Sequence, residues 1–301
     1  MRYIFILNPR AGQGGVEDTL RSAIDRLPEK DNCSIYLTQG IEDATRFVRQ
    51  WCLDNPGEEV RFIACGGDGT ISEVFNGAVG FENVSVSVYP CGSGNDFVKT
   101  FGGKEKFLNV EKLIHAPVQK LDLLKAGDRY SVNVLNFGFD TTVAITINTE
   151  RSKTGHGNKN AYAKGVAIAL INSMKNRFTV TADGEVLNPD GKGLLCTLGN
   201  GQYVGGSFKC APRASTSDGL MEVCLIKPIS RIRFLMCMSA YIAGRHLDSP
   251  TLQSFLTYRP ARSVRVQAPE GFAYSLDGEI IYENDFTVEV VEHALNLAVP
   301  E

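Results

Sequence analysis

Gly66-Gly-Asp-Gly-Thr70 is the segment of this sequence with the clearest chemical potential. Three glycines within four positions let a backbone approach a ligand closely and turn its N–H groups toward phosphate oxygens. The flanking residues predict a strand before the loop and a helix after it, and a helix N-terminus adds a positive dipole end at the same place. Asp68 stands beside that anion site, where a carboxylate is tolerable chiefly if a cation such as Mg2+ binds as well. One such loop, taken alone, is also compatible with a tight turn that binds nothing. Two more loops argue against that plainer reading: Asn8-Pro-Arg-Ala-Gly12, followed by Gly14 and Gly15, and Pro90-Cys-Gly-Ser-Gly-Asn-Asp-Phe97. Each is expected at the carboxyl end of a parallel strand, which is where open α/β sheets gather their ligands.

The elements that must position these loops are legible as apolar runs and helical spacings. Residues 3–7, 33–38, 61–65 and 84–89 read as strands, with helices over 16–27 and 42–53 and a third from residue 71 onward. Strand–helix repetition of this kind predicts a doubly wound, mostly parallel α/β domain over residues 1–120. Beyond it the pattern changes to short alternating strands with hairpin signals at Ala126-Gly-Asp-Arg129 and Asp183-Gly184. Residues 121–301 are therefore expected to form a mostly antiparallel β-sandwich domain, with a last strand able to pack back towards the first. Two helices, over 141–149 and 161–175, interrupt the β pattern. The polar, basic stretch 151–160 reads as a mobile loop. Residues 231–243 form a helix that is basic at its start and apolar along its length; such a helix could touch lipid, but a short helix this apolar is more often core.

A length of 301 residues favours two domains, and 43% hydrophobic with 22% charged residues allows each a real core. The net charge of −3 speaks against a nucleic-acid-binding protein. The initial apolar run stops at Asn8, too early for a signal-peptide core. No later apolar run approaches the roughly 18 residues needed to cross a bilayer. Eight scattered cysteines without a C-x-x-C pair suit a reducing, cytoplasmic protein with free thiols. The four histidines have neither zinc-ligand nor triad spacing.

In this order, N-P-x-x-G (Asn8 to Gly12), G-G-D-G-T-x-x-E (Gly66 to Glu73) and P-x-G-S-G-N-D-F (Pro90 to Phe97) resemble the catalytic domain of diacylglycerol kinases and related bacterial lipid kinases. Further segments extend the resemblance along the chain: Gly138-Phe-Asp140, Gly199-Asn-Gly-Gln-Tyr-Val-Gly-Gly206, Pro212-Arg-Ala-Ser-Thr-Ser-Asp-Gly-Leu220 and Asp277-Gly-Glu279. The resemblance implies an NAD kinase- or phosphofructokinase-like first domain, with ATP lying across the crevice between the domains. It places Asn8, Pro9, Arg10, Ala11 and Gly12 around the nucleotide, with Gly66, Gly67, Asp68, Gly69, Thr70, Ile71, Ser72 and Glu73. Thr38 matches a nucleotide-contacting threonine, and Gly92, Ser93, Asn95 and Asp96 complete the set. Ser93 stands where threonine is usual and keeps the hydroxyl. Asp96, at a helix start, is equally well read as a cap.

For chemistry, the resemblance nominates Asp277 and Glu279 as candidates for the base that takes the acceptor's proton. Residue types alone leave a simple hairpin turn equally open, and do not choose between the two carboxylates. Asp68 is expected to hold the catalytic Mg2+. A second, structural Mg2+ is implied at the Asp218 carboxylate and the backbone carbonyls of Ser215 and Leu220, in the water-rich style of that ion. The implied function is an ATP- and Mg2+-dependent lipid kinase, with diacylglycerol as the commonest acceptor. Phosphatidylglycerol, ceramide and sphingoid bases are the alternatives. A soluble-substrate kinase and a non-catalytic lipid-binding module are the remoter options. The implied partner is a membrane lipid met at the bilayer surface. The sequence leaves the oligomeric state open, a homodimer included.

Overall fold

The computed structural model describes residues 1–12, 14–154, 159–206 and 208–301. The chain divides into two compact units. The first comprises Met1–Leu123, Thr216–Gly219 and Val291–Glu301, and the second Leu124–Ser215 and Leu220–Val290.

In the first unit, β1 (Arg2–Leu7), β2 (Cys33–Leu37), β3 (Val60–Gly66) and β4 (Val84–Pro90) form a parallel sheet in the order β2-β1-β3-β4. Both β3 and β4 are buried along their whole length, as expected of strands covered on two faces. The connections are α1 (Val16–Ile24), α2 (Asp43–Asp54) and α3 (Asp68–Ala78), followed by the short α4 (Asp96–Lys99) and α5 (Val110–Ile114). Helix α2 buries Ala44, Val48 and Cys52, one face at a spacing of four, and Trp51 meets Phe62 of β3 edge-on. A buried arginine fixes α5: Arg61 donates to the carbonyls of Leu113 and Ile114 at 2.7 and 2.9 Å, a cation placed on the helix's negative end.

The fifth strand of this sheet comes from the far end of the chain. Asn296 and Leu297 pair in parallel with Ser85 and Val86 of β4. Asp122, fully buried, explains why such distant segments join one unit. Its carboxylate accepts the N–H groups of Gly219 (2.8 Å) and His293 (2.7 Å), and its own N–H donates to the Thr216 carbonyl (2.7 Å).

The second unit begins as the chain leaves β5 (Val118–Ala126), which turns through Gly127 and Asp128 into β6 (Arg129–Ser131). Then come β7 (Val134–Gly138), α6 (Phe139–Thr154), α7 (Lys159–Asn172), β8 (Asn176–Arg177), β9 (Thr179–Ala182), β10 (Glu185–Val186), β11 (Lys192–Gly193) and β12 (Leu195–Gly199). The unit is completed by β13 (Met221–Ile226), α8 (Arg231–Ile242), β14 (Leu256–Ala261), β15 (Ser263–Gln267), β16 (Ala273–Leu276), β17 (Glu279–Tyr282) and the first part of β18 (Asp285–Ala298).

Among the described residues, β14-β13-β12-β7-β16-β17 form a six-stranded antiparallel sheet. One of its faces packs on β9, β15 and β18 through Leu135, Phe137, Val223, Tyr274, Val264 and Phe286, which is the sandwich core. Side chains of α6, α7 and α8 join the core on its other face. The stretch 151–160, expected as a loop, is helical where it is described, closing α6 at one end and opening α7 at the other; residues 155–158 of it lie outside the described residues.

Candidate active site

The three glycine-bearing loops meet at the carboxyl ends of β1, β3 and β4. The Gly66 carbonyl accepts the N–H groups of Cys91 (3.0 Å) and Gly92 (3.1 Å), joining the second loop to the third. A Cβ on Gly92 would stand 2.3 Å from the Gly67 Cα, so this contact exists only because a hydrogen occupies that position. The first loop closes on the same place. A Cβ on Gly12 would come within 3.3 Å of the Cys91 carbonyl, and the Asn8 amide reaches the Thr70 hydroxyl at 3.5 Å. The Asn8 side-chain carbonyl also accepts the Arg10 N–H at 3.0 Å, holding the turn in shape. A cavity of about 210 Å³ opens beside this loop, lined by Asn8, Pro9, Ala11, Gly14, Gly15 and Val16, at the N-terminus of α1. Exposed Arg10 adds a cation nearby.

Asp68 ties the second loop to the third. Its Oδ1 accepts the N–H groups of Asp96 (2.7 Å) and Phe97 (3.3 Å) at the start of α4. Asp96 in turn receives Lys99 Nζ at 2.6 Å, and Asn95 clamps Gly92 through both its amide oxygen and its amide nitrogen. Asp96 thus stands at the helix start that its residue type allows, but the capping carboxylate is Asp68. Thr38 lies just past β2 and donates its N–H to the Leu7 carbonyl at 2.9 Å. Ser93 is exposed within its loop, and Gly69 is exposed in the first turn of α3.

Not every residue of the implied nucleotide set faces this cluster. Ile71 is 1% exposed and belongs to the core, and Ser72 is buried. Glu73 points to α2, where it accepts the Ala44 N–H at 3.2 Å. Cys91 sits within the third loop, but burial pushes its thiol up to about 11, so it stays protonated and chemically quiet.

In the second unit the two candidate carboxylates have different surroundings. Asp277 and Gly278 both adopt positive φ (50° and 97°) in the turn joining β16 to β17. The turn reading is therefore correct as geometry, yet the side chain is far from idle. Its Oδ1 accepts Ser131 Oγ (2.8 Å) and the N–H groups of Asn133 (3.0 Å) and Val134 (2.9 Å). Its Oδ2 accepts the Val132 N–H at 2.6 Å. Burial raises the Asp277 carboxyl above its ordinary value, and these four hydrogen bonds oppose the rise only in part. Glu279 instead lies half open to solvent and forms an ion pair with Arg129 at 2.7 Å.

A third carboxylate entered the sequence reading only as part of a motif. Asp140, at the start of α6, is half-buried as a residue, but its Oδ2 is sealed from solvent and meets no hydrogen-bond partner among the described residues. Desolvation pushes its carboxyl up to about 7. Tyr241 of α8 lies in the field of this carboxylate, and its phenol is raised well above the ordinary range by burial first and by Asp140 next.

Among the described residues no three His, Cys, Asp or Glu side chains cluster as a metal site. The donor chemistry of the two expected positions nevertheless suits a hard cation that keeps most of its waters. Asp68 offers a half-buried carboxylate among backbone N–H groups, and the 215–220 loop offers the exposed Asp218 carboxylate and main-chain oxygens. That loop is anchored from beneath by Asp122. The clue to Asp122 was a carboxylate alternating with Leu121 and Leu123 in a strand, a position that requires buried partners.

Comparisons with known proteins bear on the family and the fold. Residues 2–126 match the diacylglycerol kinase catalytic domain, and residues 133–299 match the YegS C-terminal NAD kinase beta sandwich-like domain. A protein of Alcanivorax borkumensis named "Probable lipid kinase YegS-like" is 25% identical over 96% of this chain and 95% of its own length. The diacylglycerol kinase of Bacillus subtilis is 27% identical over 91% of this chain and 88% of its own. A solved structure described as a diacylglycerol kinase from Bacillus anthracis superposes with a TM-score of 0.74 at 23% identity, covering 99% of this chain and 96% of that one. The last of these is a likeness of fold.

Proposed function

This chain belongs to the family that joins a diacylglycerol kinase catalytic domain to a YegS-type C-terminal β-sandwich, it is a lipid kinase, and we propose that it transfers the γ-phosphate of ATP, with Mg2+, to a hydroxyl of diacylglycerol. The observation that carries the proposal is the interlocking of three glycine loops at the carboxyl ends of parallel strands. Such loops offer backbone N–H groups and the N-terminus of α1 to a triphosphate, at a distance that side chains would block.

Phosphoryl transfer asks a protein for positioning, charge neutralisation and a proton acceptor. Asn8, Gly12, Gly67 and Gly92 shape the phosphate cradle, with Arg10 supplying charge. Thr38 and Ser93 offer polar contacts to the nucleotide. Mg2+, when bound, would neutralise charge on the phosphates, and Asp68 would hold it. Asp218 with the carbonyls of Ser215 and Leu220 would hold a second, structural ion.

Between the two base candidates, Asp277 is the better placed. Three of its four hydrogen bonds fall on Oδ1, leaving Oδ2 with a single N–H donor and room to accept a proton. Its raised pKa makes it a better base than an ordinary carboxylate. Glu279 is engaged with Arg129, and fits the role of steadying the hairpin.

The test is transfer of labelled γ-phosphate from ATP and Mg2+ to micelle-dispersed diacylglycerol, phosphatidylglycerol, ceramide and sphingosine. Soluble NAD and fructose 6-phosphate serve as controls. Labelled phosphatidic acid is the expected product. Label in another lipid alone would replace the acceptor, and label in a soluble control alone would overturn the acceptor class.

A further inference from the structure

Helix α8 is apolar on two sides, and among the described residues only one of them is used by the fold. Phe234, Cys237, Met238 and Tyr241 recur at helical spacing and turn inward. Phe234 meets Phe139 at 4.6 Å between ring centroids, and Tyr241 meets Phe208. The opposite side carries Ile232, Leu235 and Met236, which are 74%, 59% and 70% exposed, and Ile242 continues the stripe. A helix that is apolar all round is normally enclosed or in contact with lipid. Single exposed hydrophobics are unremarkable, but a contiguous stripe marks an interaction surface.

The stripe extends onto the neighbouring helix and is held in place. The Arg231 guanidinium donates to the carbonyls of Leu170 (2.6 Å) and Ile171 (3.1 Å) at the end of α7, which brings Ile171, 69% exposed, beside α8. Ser230 caps the first turn by accepting the Arg233 N–H at 3.3 Å, and the Arg233 guanidinium lies 4.5 Å over the Phe255 ring. The helix is therefore fixed by its inner side and its caps, with the outer side presented ready-made.

Charge identifies the occupant. Between Glu150 and Asp183, and again between Glu222 and Asp248, the sequence contains ten lysines and arginines and neither aspartate nor glutamate. These two stretches contain α7 and α8. They take ten of the chain's 31 basic residues and none of its 34 acidic ones, in a protein whose net charge is −3. Lys175, Arg177, Lys227, Arg231 and Arg245 are exposed. Within α7 and α8 themselves there are cations and no acid, although Lys164 of α7 pairs with Glu150 of α6 at 2.7 Å. An apolar stripe on helices of this charge complements an anionic bilayer surface, with the alkyl groups at the headgroup–acyl boundary and the cations on lipid phosphates.

We propose that the outer side of α8, with the end of α7, docks this protein on anionic membranes. At 12 residues α8 is far too short to cross a bilayer, and it lies in the surface instead. The proposal rests on the lipid-kinase reading, since an enzyme whose acceptor is held in a bilayer must reach it there.

The experiment is co-sedimentation of the full chain with phosphatidylglycerol vesicles, using phosphatidylcholine vesicles as the uncharged control. Wild type is expected to bind the anionic vesicles, and to bind them less as salt is raised. The double substitution Leu235→Ser with Met236→Ser should weaken binding by about tenfold or more. The same variant should phosphorylate a short-chain, water-dispersed diacylglycerol at the wild-type rate. Leu235→Trp gives a second readout: its added fluorescence should shift to the blue on phosphatidylglycerol vesicles. Unchanged vesicle binding by the double variant, or no spectral shift, would overturn the docking surface. A wild-type dimer that the double variant converts to monomer, with vesicle binding intact, would assign the stripe to a second copy of this chain. Loss of phosphorylation of the dispersed acceptor by wild type itself would instead count against the kinase reading, independently of the vesicles.

Discussion

The loops of the first unit and the hairpin of the second each carry an Asp-Gly pair, and they use it in opposite ways. Around Asp68, the loops are shaped so that backbone can approach backbone, and Gly92 lies against Gly67 where no side chain would fit. Around Asp277, Gly278 merely turns the chain, and the backbone N–H groups of residues 132–134 converge on a side chain. One region brings main chain against main chain, and the other gathers main-chain N–H groups on a carboxylate. The first kind of site leaves a glycine pattern in sequence; the second leaves only an Asp-Gly turn like many others.

The sharpest way to break this contrast is to remove the carboxylate. Asp277→Asn should lower turnover by about a hundredfold or more, roughly 3 kcal/mol of barrier, while nucleotide-dependent thermal stabilisation persists. Near-normal turnover would reduce Asp277 to a turn residue. Next in size is Gly92→Ala, whose added methyl meets the Gly67 backbone. It should cost about 1–3 kcal/mol of stability and blunt the rise in melting temperature produced by ATP. A variant with wild-type ATP response would show that the loop contact does not shape the cradle.

A smaller effect concerns Asp140, whose folded pKa of about 7 exceeds the ordinary 3.8. Because the folded state holds this proton more tightly, the stability it contributes is full below the unfolded value and is lost as pH rises through about 7. Asp140→Asn should therefore flatten the pH dependence of the melting temperature and be more stable than wild type above neutrality, by about 2 kcal/mol. Parallel pH profiles would mean that Asp140 is not buried as a neutral acid. The smallest effect is expected for Glu279→Gln, within a few-fold of wild-type turnover, because a solvent-exposed ion pair contributes about 0–1 kcal/mol. A loss as large as that of Asp277→Asn would exchange the two roles.

Much of the fold was readable because its determinants are local. The buried strands of the first unit are continuous apolar runs, and the hairpins at Gly127 and at Asp183-Gly184 follow from residues that tolerate positive φ. The glycine loops were readable for the same reason. What escaped the sequence depends on partners far away along the chain. Asp122 binds an N–H 171 positions distant, and no local pattern announces that the segment 216–219 belongs with the first unit. Glu73, in register with a nucleotide-binding motif, also accepts an N–H from the first turn of α2, 29 residues away. Helix α8 reads more readily as core than as a lipid contact because its composition cannot say which of two apolar sides is covered; the packed structure shows Ile232, Leu235 and Met236 outside. The pairing of Glu279 with Arg129 gives the two base candidates different surroundings, and its members are 150 residues apart.

The most direct measurement compares wild type, Asp277→Asn and Glu279→Gln for transfer of labelled γ-phosphate from ATP to dispersed diacylglycerol, with ATP-dependent thermal stabilisation read on the same samples. The expected result is labelled phosphatidic acid from wild type and from Glu279→Gln, and a loss of about a hundredfold or more in Asp277→Asn with ATP stabilisation intact. Labelled phosphatidic acid formed by Asp277→Asn at a rate near that of wild type would contradict the division of labour between the glycine loops and the Asp277 carboxylate.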